Sequence, residues 1–284
     1  MINVRLRVRR AVLEDHLQIA NLGIYESNTH RHLDWRSTLD WLGVPNYWVL
    51  DEDGRITAAL ACPEEPTQIA WIRFFGYAPH LSAPEAWSAL WTFARNEIFP
   101  ANQNTQIAAI IVKLWFQRLL LSSGFSIKQN IVLLQLAHEK IRLFSTPPHY
   151  RIRTMQAEDL PIIAKIDLDA FGPFWHNTLD SLSRARSQSA HATVAEDDSG
   201  VVAYQLSTGN PLGAHLARLG VSPEAQGKGV GTALVSDLIQ RLGGFQLIRL
   251  SVNTQDDNAA SLSLYKKMGF VPTGEIFPVL VFNG

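Results

Sequence analysis

The chain has 284 residues, of which 46% are hydrophobic and 18% charged, with a formal net charge of −1. This composition excludes a disordered chain and leaves length for two cores of ordinary size. Neither half carries the basic excess on which nucleic-acid binding depends, so no nucleic-acid partner is expected.

The opening "MINVRLRVRRAVLEDH" alternates charge with aliphatics and has no apolar h-region, so it does not read as a secretory signal. It predicts a strand over Arg5–Arg10, then a helix start with Asp15 in the first turn, where an acid suits the helix dipole. "THRHLDW" (29–35) holds His30, His32 and Asp34. Histidines two apart in a loop read as solvated rather than as metal ligands, so no metal is expected. Cys62 is the only cysteine, which rules out an intrachain disulfide and a cysteine zinc site. Residues 77–98 predict a helix with Trp87, Leu90, Trp91 and Ala94 on one face. Seven of the eight tryptophans lie in this half and read mainly as core and domain interface. No apolar run reaches 18 residues, so the expectation is a cytoplasmic chain with no membrane partner.

"FSTPPHYR" (144–151) punctuates the chain with Pro147 and Pro148. Beyond it the sequence repeats. Arg9 matches Arg153, Gly54 matches Gly200 and Gly124 matches Gly269, at offsets of 144, 146 and 145. One nearly constant offset implies two copies of one domain, 1–145 and 146–284. The second copy predicts strands at Arg151–Thr154, His191–Ala195, Val201–Ser207 and His215–Val221. A helix, a strand at Leu247–Asn253, a helix over Asn258–Met268 and a final strand near Ile276–Phe282 follow. Alternating strands and helices make the fold class α/β, with a mixed sheet.

Between the strand at 215–221 and its helix stands "AQGKGVGTAL" (225–234), with three glycines at alternate positions. Each glycine in a helical turn costs about 0.5–1 kcal/mol relative to alanine. The first copy has Pro84, Glu85, Ala86 and Trp87 in the same place, so the fold does not require the glycines. At a helix N-terminus they would admit an anion to unpaired N–H groups, and side chains would block it. Gly243 and Gly244 are expected to stop the helix. The segment fails the Walker A pattern, because Gly229 stands where a hydroxyl is needed. It fails the dinucleotide pattern at Thr232.

"GVSPEAQGKGVGTALV" resembles the acetyl-CoA-binding segment of the GNAT acyltransferase superfamily, [QR]-x-x-G-x-[GA], through Gln226, Gly229 and Gly231. "LSVNTQDDNAASLSLYKKMGF" resembles the family's downstream N-x(6)-Y and G-F pattern through Asn258, Tyr265, Gly269 and Phe270. The resemblance implies two tandem GNAT-like acyl-CoA N-acyltransferase domains, the first degenerate and without the cofactor loop. It implies acetyl-CoA as cosubstrate, its pyrophosphate held by Gln226, Gly227, Lys228, Gly229, Val230, Gly231 and Thr232. Leu219, Gly220 and Val221 would face pantetheine and the thioester, with Asn258 and Asn253 beside them, and Tyr265 would be the acid for the thiolate.

The family's basic position falls on Ser251, which cannot act as a base, so His215, His176 and Glu196 stay open for that role. Phe171, Phe174 and Trp175 stand where relatives shape the acceptor site. The activity implied is N-acetyl transfer to a primary amine, of a small molecule or alternatively of a protein N-terminus or lysine. A non-catalytic acyl-CoA sensor is the rival reading. Acceptor, acyl length and oligomeric state are left open.

Overall fold

The computed structural model describes residues 6–32, 34–101, 104–210, 213–243 and 249–284. Arg5, Gly244, Leu247 and Ile248, on which parts of the expected elements fall, lie outside the described residues. In chain order the elements are β1 (Leu6–Arg10), α1 (His16–Leu22), β2 (Thr29–Arg31), β3 (Tyr47–Glu52), β4 (Arg55–Ala61), β5 (Ile69–Trp71), β6 (Phe74–Tyr77), α2 (Ala83–Ala101), β7 (Gln106–Ile110), α3 (Leu114–Ser122) and β8 (Ser126–Leu136). The second half follows with β9 (Arg151–Thr154), α4 (Leu160–Trp175), α5 (Leu179–Gln188), β10 (His191–Asp197), β11 (Gly200–Asn210), β12 (Gly213–Val221), α6 (Val230–Arg241), β13 (Leu250–Gln255), α7 (Ala259–Met268) and β14 (Phe270–Asn283).

The two sequence copies open on the same device. Arg9 makes hydrogen bonds of 2.7 and 2.8 Å to Asp15, and Arg153 makes bonds of 2.7 and 2.8 Å to Asp159. Each carboxylate also accepts the backbone N–H three residues before it, from Val12 and Gln156. The acids therefore act as pinned turn-formers between strand and helix, more than as partners of a helix dipole. Arg9 and Arg153 hold both carboxyls below their usual range; burial opposes this, outweighing any single bond at Asp15 but not Arg153's at Asp159.

The packing units do not coincide with the sequence copies. One comprises 1–128 with 277–284, the other 129–276. In the first, β1, β3, β4, β6 and β2 form a sheet in that order. A second group joins β5 to β7 in parallel and β7 to the last residues of β14, from Val279↔Ile110 to Asn283↔Gln106. Leu280, fully buried, belongs to the core that includes Trp48, Trp87, Trp91 and Phe116. In the second unit the order β9, β10, β11, β12, β13 is continued by β8, which pairs with β13 from Ser251↔Gln135 to Gln255↔Ile131. Each unit is thus completed by the last strand of the other sequence copy. An antiparallel neighbour can come from anywhere in the chain, because it needs no crossover helix.

The core of the second unit lies between this sheet and α6 and α7. Val235, Leu238 and Ile239 of α6 and Tyr265 and Met268 of α7 pack on Leu216, Leu250 and Val252. The i, i+3, i+4 spacing of Val235, Leu238 and Ile239 puts them on one apolar stripe of α6. Gly243, at φ 97°, lies just past the end of α6. β14 is longer than expected, because Gly269 at φ 102° caps α7 and turns the chain straight into the strand.

Candidate active site

β12 and β13 run parallel but pair only at Ala214↔Leu250, His215↔Ser251 and Leu216↔Val252. Both strands continue, β12 to Val221 and β13 to Gln255, without further pairs, so they part after Leu216. A bulge marks the place. On the other edge of β12 the register jumps from Leu216↔Ser207 to Arg218↔Leu206, leaving Ala217 unopposed. An extra residue bends the strand and increases its twist, which carries it away from β13. The bulge also keeps Leu219 and Val221 on the α6 side with Ala214 and Leu216, while His215 and Arg218 lie on the other face.

The glycine segment follows directly. Gln226 folds back so that its Nε2 donates to Val221 O at 3.1 Å, tying the loop to the end of β12. Gly227 and Gly229 have φ of 74° and 85°, in the left-handed region that disfavours side chains. The first bond of α6 runs from Ala233 N–H to Gly229 O, at 3.0 Å. The N–H groups of Val230, Gly231 and Thr232 therefore precede the helical ladder and, with the positive dipole end, are disposed toward an anion. A Cβ at Gly227 would enter open space, but one at Gly231 would lie 3.0 Å from Leu264 of α7. The glycines thus answer to backbone conformation and to helix contact as well as to ligand clearance.

On α7, Asn258 caps the helix by accepting from Ser261 N at 3.0 Å, as its motif position suggests. Tyr265 is 4% exposed, with Phe270 5.5 Å from its ring, and burial raises its phenol above the usual range. His215 Nδ1 lies 2.9 Å from Ser251 Oγ and Nε2 3.0 Å from Asn253 Oδ1. Burial lowers its pKa below 6.5, so the ring is neutral at neutral pH. Of the other two candidate bases, Glu196 is bound to Arg151 and Arg153, which hold it in its ionised form, and His176 sits past the end of α4 against Pro173 O. Lys228 is exposed on the loop.

The aromatic residues at the end of α4 gather beside Arg218, next to the bulge. Gly172, at φ 71° and ψ 176°, breaks the helix before Pro173. Phe171 lies under the Arg218 guanidinium at 3.4 Å, and Arg218 Nη2 donates to Trp175 O at 2.7 Å. Phe174 packs edge-on to Trp175 at 5.1 Å. Behind them is a network that the sequence reading missed. Arg218 pairs with the fully buried Asp167, which also accepts the Tyr204 hydroxyl and Asn177 N. The available signal was Arg218 itself, a charge in the middle of the apolar run "HLARLGV". Tyr204 accounts for Gly220: a Cβ there would stand 2.5 Å from the tyrosine ring.

The first unit has the same parallel pairing of three residues, from Ile69↔Gln106 to Trp71↔Ala108, after which β6 parts from β7. Here the vacated edge of β6 is taken by β2, which pairs Thr29↔Gly76, His30↔Phe75 and Arg31↔Phe74. His30 is 1% exposed and stacks on Phe116 of α3 at 4.1 Å. The expectation of solvated histidines is therefore corrected: His30 lies in a buried strand, and His32 follows it into the interior. Burial drives the pKa of both down. No metal-binding group is present among the described residues. The start of α2 is closed by its own residues, with Ser82 N and Oγ both donating to Glu85 and Glu85 N to Ser82 Oγ. Leu120 stands where Tyr265 stands in the second copy.

Residues 160–270 match the family model "Acetyltransferase (GNAT) family". The whole chain superposes on a GCN5-related N-acetyltransferase from Sphaerobacter thermophilus, with a TM-score of 0.63 and 17% identity over 98% of this chain and 95% of that one. It superposes on a tandem GNAT protein from the clavulanic acid biosynthesis pathway, with a TM-score of 0.68 and 16% identity over 98% of both chains. A probable N-acyltransferase of unknown function from Enterococcus faecalis V583 gives a TM-score of 0.73 at 11% identity, over 98% of this chain and 72% of that one. No curated protein matches the sequence significantly. The match over residues 160–270 is to a family of acyltransferases. Residues 160–270 belong to the GNAT family, and the chain as a whole has the fold of its two-domain members. No described helix is long and apolar enough to cross a membrane.

Proposed function

We propose that the second copy, 146–284, is an acetyl-CoA-dependent N-acetyltransferase acting on a primary amine of a small molecule. The observation that carries this reading is the meeting of two features at one place. The parting of β12 from β13 after Leu216 leads straight into a helix start whose N–H groups lie outside the ladder. The first is a slot for pantetheine and the second a cradle for pyrophosphate. Acetyl-CoA supplies an activated acyl thioester when bound.

The residues of the chain then have distinct tasks. Gly227, Lys228, Gly229, Val230, Gly231 and Thr232 hold the pyrophosphate, with Gln226 fixing the loop. Backbone groups of Leu219, Gly220 and Val221, released from β13, face the amides and the thioester carbonyl, where an N–H stabilises developing oxyanion charge. Asn258 keeps α7 in register beside the slot. Tyr265, whose phenol burial keeps protonated, gives its proton to the departing thiolate. His215 receives the amine proton: Asn253 holds Nε2–H, and Nδ1 faces the Ser251 hydroxyl, which relays the proton. Phe171, Phe174 and Trp175 wall the acceptor. The first copy, 1–145, binds no coenzyme A, because β2 fills its slot and Glu85 places a negative charge at its helix start.

Titration of the full chain with acetyl-CoA tests this. One site per chain, abolished by Gly229→Phe, and thiol release with a simple amine are expected. Two sites, or binding that survives Gly229→Phe, would overturn the assignment of the cofactor to the second copy. Binding without thiol release across an amine and peptide panel would leave a sensor in place of an enzyme.

A further inference from the structure

The first unit contains a cavity of about 350 Å3 that the acyl-transfer reading does not use. It lies beside the point where β6 begins, and His32, Asp34, Arg36, Trp41 and Arg73 line it above the apolar Ile19. Its inner polar groups are largely buried. Trp41 is 2% exposed, and the side chains of Asp34 and Arg73 are 7% and 10% exposed. Arg73 uses Nη1 toward Asp34, at 3.1 Å, and Nη2 toward Glu65 O, at 3.2 Å. Its Nε, the indole Nε1 of Trp41 and Nδ1 of His32 are buried without a hydrogen-bond partner. Leaving such a group unmet is costly, and native proteins keep few of them. Three unmet nitrogens around one cavity point to a bound molecule that supplies acceptors; Asp34 Oδ2, which also lacks a hydrogen bond there, is already ion-paired with Arg73 Nη1.

The charges narrow its chemistry. The guanidinium carbons of Arg36 and Arg73 lie 4.2 and 5.2 Å from the centre of the Trp41 ring, so two cations flank one indole. Asp34 and Glu65 stand beside them, with Arg36 4.0 Å from Glu65. Those carboxylates repel a dianion more than a monoanion. We propose that this cavity is a binding site for a small monocarboxylate, whose oxygens accept from Arg73 Nε and Trp41 Nε1 while its carbon chain rests on Ile19. His32 provides the third contact through Nδ1. The site is separate from the one assigned to acetyl-CoA, so either can fail alone.

The test is calorimetric titration of the full chain with acetate, glycine, succinate and inorganic phosphate at fixed ionic strength. The expected result is saturable binding of one monocarboxylate per chain. Trp41→Phe keeps the ring and removes the N–H, so it weakens that binding about tenfold or more. It leaves acetyl-CoA titration unchanged and does not lower the Tm of the unliganded protein, since the lost donor had no partner. Arg73→Lys, which keeps a charge without the planar donor, weakens binding likewise. Absence of saturation with all four probes would overturn the proposal. So would affinity unchanged in both variants, or binding of phosphate in preference to the carboxylates.

Discussion

The guanidinium of Arg218 makes paired hydrogen bonds of 2.8 Å to both carboxylate oxygens of Asp167, and so ties the bulge of β12 to the middle of α4. Removing one partner of a buried pair strands the other charge, at a cost of about 3–5 kcal/mol. Arg218→Met is therefore expected to lower the free energy of urea unfolding by that order. Arg218→Lys recovers part of it, because an ammonium cannot make the paired contact. Arg218→Met combined with Asp167→Leu should be less damaging than Arg218→Met alone. If the double variant is the worse of the two, the pair is not the coupled unit described.

Glycines in the second unit are required for different reasons, and substitutions separate them. Gly220→Ala drives a Cβ into the Tyr204 ring and should cost about 1–3 kcal/mol. Gly227→Ala meets open space and bears only the left-handed conformation, about 1–2 kcal/mol. Double-mutant measurement with Tyr204→Leu checks the distinction: it should relieve Gly220→Ala and leave Gly227→Ala untouched.

Tyr265→Phe should lower turnover by about 10²-fold or more while acetyl-CoA affinity stays the same. The pH profile carries the rest. Burial lowers the pKa of His215, so the acid limb of activity lies below the ordinary imidazole range, where this ring takes up a proton. His215→Gln should lower the plateau and remove that acid limb. An acid limb that persists in the variant would assign the base elsewhere.

His30 makes the first unit acid-sensitive. Its folded pKa is lowered to about 3, chiefly by burial, against an ordinary 6.5. The unfolded chain therefore binds a proton first. The resulting stability is full above pH 6.5 and declines as the pH falls toward 3, by at most about 1.4 kcal/mol per pH unit for one group. Unfolding free energies at pH 7 and pH 5 should show a shallower loss in His30→Phe than in the parent. Equal slopes would mean that the ring does not resist protonation.

Leu280→Ala, a change near residue 284, should destabilise the first unit by about 2–5 kcal/mol, because Leu280 is fully buried in that unit's core. Trp91 reports it directly, with Phe282 packed edge-on at 5.1 Å. A loss of tryptophan signal that tracks the second unit's melting alone would contradict this packing.

Much of the second unit was legible in the sequence because its signals are local. The glycine run, the helix over Asn258–Met268 and the pattern from Asn258 to Gly269 each lie within a dozen residues. What escaped depends on distant residues or on very short ones. Asp167, Tyr204 and Arg218 are apolar-segment neighbours with nothing in their own surroundings to announce the partner. β2 is too short to show a strand period, so "THR" read as loop, although it fills the crevice of the first unit. The final strand of the second copy was foreseen and that of the first, β8, was not; periodicity in any case gives a strand's faces and not the sheet it joins.

The exchange of final strands has a consequence for biosynthesis. Domains ordinarily fold in the order in which they leave the ribosome, the first before the second is made. Here the residues that complete the first unit are 277–284. For roughly ten to thirty seconds at ordinary elongation rates, the nascent first unit exposes the edge of β7 and the apolar site of Leu280, and the chain is open to chaperones and to mispairing throughout that interval.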